Sequence, residues 1–299
     1  METFPQSLAA PPPPIKPHLK PDLPRPARHR TLTETGPATM PDADTLRLTA
    51  FLGSLAAMAA WELAAPDRHA DIPRLIRWTN NLALVAIDTA LVRLLIPVLP
   101  VAAATWATAQ GWGLLSPLPL WASVPLAFLL LDLVLWGQHW LMHRIPALWR
   151  LHRMHHSDTH LDATTGLRFH PLEILLSTLI KLAAVTALGA PPLAVIAFEI
   201  ALNATALFTH ANIRLPARTD HHLRRLIVTP AMHRIHHSIR RAETDSNYGF
   251  TLSLWDRTFR TYRATPLDDP ATMPLGLDAF RSPRDAWLDR LLTQPFRNR

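Results

Sequence analysis

The sequence predicts an all-α integral membrane protein: a helical bundle of four to five spans with a histidine-rich helical cap on its cytoplasmic side. Three observations predict it. Hydrophobic residues make up 48% of the 299 and fall into long runs, of about the 20 residues that a helix needs to cross a bilayer. Histidines gather at helical spacing in three clusters, the first directly after such a run. Arginines collect between the runs on one side only, which orients the spans.

In chain order, residues 1–45 are basic and rich in proline (PPPPIKPHLKPDLPRP). Such a stretch buries too little apolar surface to order itself and is read as a disordered tail. It lacks the apolar core of a signal peptide. Residues 46–299 form the membrane domain. Residues 46–65 are the first candidate span, followed by a linker with Arg68, Arg74 and Arg77. Residues 82–109 are apolar but hold Asp88, Arg93, Pro97 and Pro100, which predicts a kinked span or two short pieces. Residues 114–136 are the clearest span and run straight into His139. Residues 172–188 and 193–208 are two more, parted by GAPP at 189–192, a tight break. Beyond His210 the chain turns polar and basic, and no later run is long enough to span. Near its end, residues 282–296 place apolar residues at helical spacing, as a cap helix or an interfacial one.

Composition narrows the chemistry. Cysteine is absent, so disulfides and cysteine-based zinc or iron–sulfur sites are excluded. The formal net charge is +7, but the arginines lie in juxtamembrane stretches and read as topology signals and lipid-head contacts, with no nucleic acid as partner. An even number of crossings between His170 and His210 lets all three histidine clusters share one side. That side carries Arg144, Arg150, Arg153, Arg168, Arg214, Arg218, Arg224, Arg225 and Arg234, whereas the loops at 111–120 and 189–192 carry no Lys or Arg. The histidine side is therefore expected to be cytoplasmic. The tail runs against this, since a spanning first segment would translocate Lys16, Lys20, Arg25, Arg28 and Arg30. Either that segment dips in and returns, or translation starts at Met40.

The chemistry sits in three boxes. The stretch QHWLMHRIPALWRLHRMHH at 138–156 holds His139, His143, His152, His155 and His156, and TPAMHRIHHS holds His233, His236 and His237. Residues three and four apart lie one above another on a helix, so HxxxH and HxxHH each project imidazoles from one face, as a metal site needs. Asp132, two turns before His139, is a costly carboxylate at membrane depth and is expected to hydrogen-bond a ligand imidazole or to pair with Arg93 or Trp136. Glu199, Asn203 and His210 share a face of the last span, which makes His210 a further ligand and Glu199 a candidate supporting group. His170 precedes a proline and either caps the next helix or contacts the site. His160, His221 and His222 are read as surface residues, and Trp136, Trp140, Trp149 and Tyr248 as interfacial belt residues.

Eight or nine imidazoles exceed the four ligands of structural zinc and suffice for two metals. An all-nitrogen, two-metal site at the bilayer surface suits redox-active iron, which with O2 attacks an unactivated C–H bond of a lipid arriving from within the membrane. Over roughly residues 129–262 the sequence resembles the fatty acid hydroxylase and sterol desaturase superfamily of membrane di-iron oxygenases. The motifs that carry the resemblance are D-x6-HWLMHR, LHRMHHS, LRFHPLE, LFTHANI, TPAMHRIHHS, and NYG followed by LWDRTFRTY, in this order. The resemblance implies two Fe ions held by His139, His143, His152, His155, His156, His210, His233, His236 and His237, with O2 as co-substrate and a lipid as substrate. It also implies a contact of Asn247 with the site through water. Two departures stand out: Arg260 occupies a position where the family usually has glycine, and the proline-rich tail matches nothing in it. Without a GxGxxG fingerprint or a haem-binding module, electrons are expected from a separate donor protein, ferredoxin-like or a small haem protein with its reductase. The short gap between His143 and His152 favours hydroxylation over the rival acyl-lipid desaturation. Metal binding for transport would need ligands along a path through the spans.

Overall fold

The computed structural model describes Met1 and residues 42–298. The unit from Pro41 to Arg299 holds every element; the greater part of the predicted tail and the Met40 start lie outside the described residues. Helix α1 (Ala43–Ala64) starts three residues ahead of the predicted span because Asp42 caps it, accepting from Thr45 N at 2.8 Å. Near its end the buried Glu62 accepts from Ala163 N and Asn212 N, both at 2.7 Å.

The predicted break at Pro97–Pro100 divides the second segment into α2 (Arg74–Leu95) and α3 (Pro100–Ala109). Helix α2 begins eight residues before the apolar run, and its polar first turns stand in the cap. There Arg77 donates to Asp158 and Asp162, Asn81 donates to Thr164, and Asn80 accepts from Leu288 N. Those cap partners satisfy polar groups that a membrane span could not carry, and the apolar remainder with α3 completes the crossing.

Helix α4 (Leu120–Arg144) starts later than the apolar run, because Gly113, Pro117 and Pro119 turn the chain first. Its 25 residues continue unbroken through the first histidine box. After α5 (Pro146–His156), with proline at its first position, come α6 (Pro171–Leu188) and α7 (Pro192–His210). The predicted break between them is a left-handed Gly189 at φ 61°. Leu114 N and Leu115 N donate to the last carbonyls of α6, which brings Gly113 so close that a Cβ there would lie 2.1 Å from Gly189 N. Leu131 and Leu135 of α4, Val185 of α6, and Val195 and Phe198 of α7 form the core of the spans. Phe128 meets Phe198 edge-to-face at 5.6 Å.

Five helical segments are long and apolar enough to cross a membrane, with α2 and α3 counted as one. Helices α1, α4 and α7 end, and α2 and α6 begin, at the same end of the bundle. The cap there contains α8 (Ala217–Leu223), α9 (Pro230–His236), α10 (Arg241–Thr244), α11 (Leu254–Thr258) and α12 (Leu288–Thr293). Among the described residues, β-structure is confined to isolated bridges. Of the two alternatives for 282–296, the structure forms the cap helix: Leu291 packs on Leu84 and Met154, and Arg150 and Arg153 donate to Pro295 O and Gln294 O. Arg260, at the family's usual glycine, has φ 60° and so keeps the left-handed backbone that glycine suits.

Because Gly113 combines φ 102° with backbone contact, Gly113→Ala is expected to destabilise the bundle by about 1–3 kcal/mol. Thermal unfolding in detergent checks this, with Gly53→Ala, where a Cβ meets nothing within 4 Å, as the unstrained control that is expected to keep or slightly raise stability.

Candidate metal centre

Four helices deliver nine imidazoles to one buried volume. They form two groups: His139, His143, His152, His156 and His236, and His155, His210, His233 and His237. Consecutive helical residues point about 100° apart, so each HxxHH box serves both groups. In α5 the i, i+4 pair His152 and His156 enters the first group and His155 the second. The box that begins in α9 does the reverse, sending His233 and His237 to the second group and His236 to the first. The last turns of α4 and α7 supply the other three rings. None of the nine is more than 2% exposed.

The ring nitrogens fit a cation. His139 Nδ1 donates to Tyr248 O and His236 Nδ1 to Ser246 O, both at 2.7 Å, so each neutral ring turns a bare Nε2 lone pair inward. Those two Nε2 atoms lie 3.1 Å apart. Two lone pairs repel, and a cation between them resolves the contact. A proton is disfavoured, because burial and then the neighbouring His139 hold His236 well below the usual imidazole range. In the second group His210 Nδ1 donates to Ala206 O at 2.7 Å, and His210 Nε2 lies 3.1 Å from His155 Nε2 and 3.0 Å from His233 Nε2. Ligands about 2.1 Å from one ion and roughly at right angles would be separated by about 3 Å. The Nε2 atoms of His143, His152 and His156 are buried without a hydrogen-bond partner. An all-imidazole donor set with lone pairs directed inward suits a transition metal.

A surrounding layer holds these rings in place. His152 Nδ1 donates to Glu173 Oε1 at 2.7 Å. Asp256 accepts from Tyr248 N, Gly249 N, Trp136 Nε1 and Thr261 Oγ1 at 2.7–3.1 Å, and so fixes the loop whose Tyr248 carbonyl orients His139. Gly166 lies so close to α7 that a Cβ there would come 2.4 Å from Ala206 O, the carbonyl that orients His210. Nearby, burial would raise the Asp158 carboxyl, but Arg77 and then Arg168 outweigh it and hold it at about 2. Phe169 stacks on His155 at 4.5 Å and Phe250 tilts over His139 at 4.8 Å. Tyr248 and Trp149 also pack on the imidazoles. A cavity of about 330 Å³ lies on the outer face of α9 against Arg234 and Ile235, and none of the nine histidines lines it.

Several expectations need correction. Asp132 does not reach a ligand imidazole, since His139 Nδ1 is taken by Tyr248 O; nor does it bond Arg93 or Trp136. It accepts from Trp255 Nε1 at 2.9 Å and Leu252 N at 3.3 Å, tying α4 to the cap. Asn247, left-handed at φ 53°, binds Met232 O and the backbone of Arg263 directly, and so braces α9. Glu199 pairs with Lys181 and Arg47 away from the centre, and Asn203 is exposed. His170 caps α6, accepting from Leu172 N. His160 is buried, whereas His221 and His222 are exposed as expected. Tyr248 is fully buried and not part of an interfacial belt. Sequence reasoning missed Glu173 and Asp256. The signal for each was a carboxylate inside a motif already singled out, LRFHPLE and LWDRTF.

Comparison with known proteins agrees with this geometry. Residues 124–261 match the fatty acid hydroxylase family model. The chain is 33% identical over 160 residues to the ornithine lipid hydroxylase OlsE of Rhizobium tropici, which covers 53% of this chain and 46% of that protein. It is 31% identical over 139 residues to the alkylglycerol monooxygenase of Homo sapiens (46% of this chain, 30% of that protein) and 31% identical over 148 residues to that of Xenopus tropicalis (49% and 31%). The match thus spans less than half the length of each relative. No solved structure matches.

Glu173→Gln replaces a carboxylate on a ligand imidazole by a neutral amide, and is expected to weaken metal binding by about 10–100-fold, read by cobalt(II) titration against a competing chelator. The metal-free protein is expected to lose stability as pH falls. Burial depresses the folded-state His152 to about 3, so between about pH 6.5 and 3 the unfolded chain binds the extra proton. That one group then lowers stability by up to about 1.4 kcal/mol per pH unit. Denaturant melts of chelator-treated protein across this window check the sign.

Proposed function

We propose that this chain, which belongs to the fatty acid hydroxylase and sterol desaturase superfamily, is a membrane-bound di-iron oxygenase. It would use O2 and electrons from a separate donor protein to hydroxylate a C–H bond of a membrane lipid. The observation that carries the reading is the pair of adjoining, water-excluded, all-imidazole groups at one end of an apolar bundle.

In this reading His139, His143, His152, His156 and His236 hold one iron, and His155, His210, His233 and His237 the other. Bound there, iron supplies the activation of O2 that attack on an aliphatic C–H bond requires. The chain's own part is to orient and to exclude. Tyr248 O, Ser246 O, Ala206 O and Glu173 fix the tautomers of four imidazoles. Phe169 and Phe250 present apolar rings to the centre, keeping water from it while accepting a hydrocarbon. The cap's arginines support a cytoplasmic orientation, which is also where a soluble electron donor would dock.

The depth of the site bears on the substrate. His210 closes a 19-residue helix, about 28 Å long and close to the thickness of a bilayer's hydrocarbon core. A C–H bond presented at that level lies near a lipid's polar head. Two of the relatives are named for ornithine lipid and alkylglycerol, both lipids with a polar head, and we assign this chain a substrate of that class. Hydroxylation is favoured over desaturation by the short gap between His143 and His152. Transport is disfavoured because the candidate ligands gather at one end of the bundle.

The test expresses the chain in a host lacking it, with His155→Ala and His156→Ala alongside. Metal analysis with Mössbauer spectroscopy is expected to find two irons per chain, reduced in each variant, and lipid extracts a product one oxygen heavier that both variants lose. Protein that holds two irons, supplied with O2, a reducing system and membrane lipid extract, and that still gives no oxygenated lipid would overturn the proposal.

A further inference from the structure

One part of the cap runs down beside the spanning helices. On α4, Asp132 is seven residues below His139, about 10 Å along the axis, in a helix whose 25 residues exceed the bilayer's hydrocarbon thickness. Trp255 Nε1 and Leu252 N both donate to it. On α7, Thr205 lies five residues below His210, and its hydroxyl is 3.2 Å from that of Thr251. Phe259 stacks on Trp136, one turn below His139, at 4.5 Å. Phe250 packs against the apolar core of the spans. Four contacts thus place residues 250–259 alongside the spans, below the ends of α4 and α7.

This segment is built as lipid demands. Backbone groups that reach such depth must be paired within the protein. Val228 N donates to Thr251 O, Ser253 N to Leu226 O, Leu252 N to Asp132, and Ser253 Oγ to Arg224 O. Its outer surface is apolar and exposed: Leu226 is 71% exposed, Phe259 49% and Leu254 45%. Exposed Arg225, Arg257 and Arg260 flank these three residues. An apolar tip rimmed by arginines is the pattern of an element seated at the headgroup–acyl boundary, where long cationic side chains extend back to the phosphates.

We propose that residues 224–228 and 249–260 form a membrane-inserted element of the cap. Leu226, Leu254 and Phe259 lie among the acyl chains of the leaflet nearest the histidines, and the three arginines meet its lipid phosphates. The cap is then held at the bilayer by lipid as well as by the helix ends. The inference depends on the spans and not on the proposed oxygenase activity.

Because the chain has no cysteine, single-cysteine spin labelling needs no background removal. Leu226→Cys and Leu254→Cys are labelled in full-length protein and reconstituted into vesicles of phosphatidylcholine and phosphatidylglycerol. Collision with O2, which concentrates in the acyl region, is compared with collision with a water-soluble nickel chelate. Leu126→Cys, exposed on α4 within the span, and Arg290→Cys, exposed on α12, set the membrane and aqueous references. Both test sites are expected to show an O2-to-nickel ratio several-fold above that of Arg290→Cys, on the Leu126→Cys side of the midpoint. Ratios on the aqueous side of that midpoint for both sites would overturn the insertion.

Discussion

The structure depends on the cost of bringing many imidazole lone pairs together out of water. A buried polar nitrogen without a partner costs about 1–3 kcal/mol, and here the Nε2 atoms of His143, His152 and His156 lack one while those of His139 and His236 face each other at 3.1 Å. No neutral tautomer relieves the His139–His236 contact, because Tyr248 O and Ser246 O have already fixed both Nδ1 protons. The two groups of rings are therefore suited to positive charge, and much of the polar architecture holds rings toward them.

Helix geometry makes this affordable for so short a sequence. A heptad-like stripe would place histidines on one face and serve one site. Two adjacent histidines at the end of HxxHH split across two faces, so His155 and His156 enter different groups, as do His236 and His237. The boxes of α5 and α9 do this with opposite allegiance. Each therefore links both groups, and a shift of either helix would disturb both at once. The outer layer answers this sensitivity with rigid supports: the carboxylate of Asp256 on three elements, and a buried Arg77 pairing with Asp158 and Asp162.

The spans and the nine ring-bearing positions were legible in the sequence, because apolar run length and i, i+3, i+4 spacing are local signals. The sorting of rings into five and four was not, since it depends on how four helices cross. Asp132 shows the limit most clearly. Its register with His139 on α4 suggested a hydrogen bond, yet stacking along one helix two turns apart leaves about 10 Å, too far for a side chain to close. The partner it does have, Trp255, lies 123 positions away. Glu173 is the converse case: 21 positions from His152, it became a partner only because α6 starts where α5 ends. Tyr248 looked interfacial because aromatic residues beside spans usually are, but the loop pinned by Asp256 turns it inward against three imidazoles.

Gly166 shows how far support for the centre extends into the cap. It sits in a short 3-10 turn, Ala163–Leu167, whose first residues are held by Glu62, by Asp162 as cap and by the Arg77 cluster through Thr165. That turn presses on α7 where Ala206 O accepts from His210 Nδ1, with no room for a methyl group between them. Ala206 O thus takes the Nδ1 proton of the residue one turn later in the same helix, in addition to its place in the helix ladder. The same histidine thus fixes its own tautomer at the end of α7 and turns Nε2 toward His155 and His233. Ligand orientation at this position therefore rests on the packing of the turn, which a buried cluster of Arg77, Asp158, Asp162 and Arg168 holds although no member of it bonds a candidate ligand.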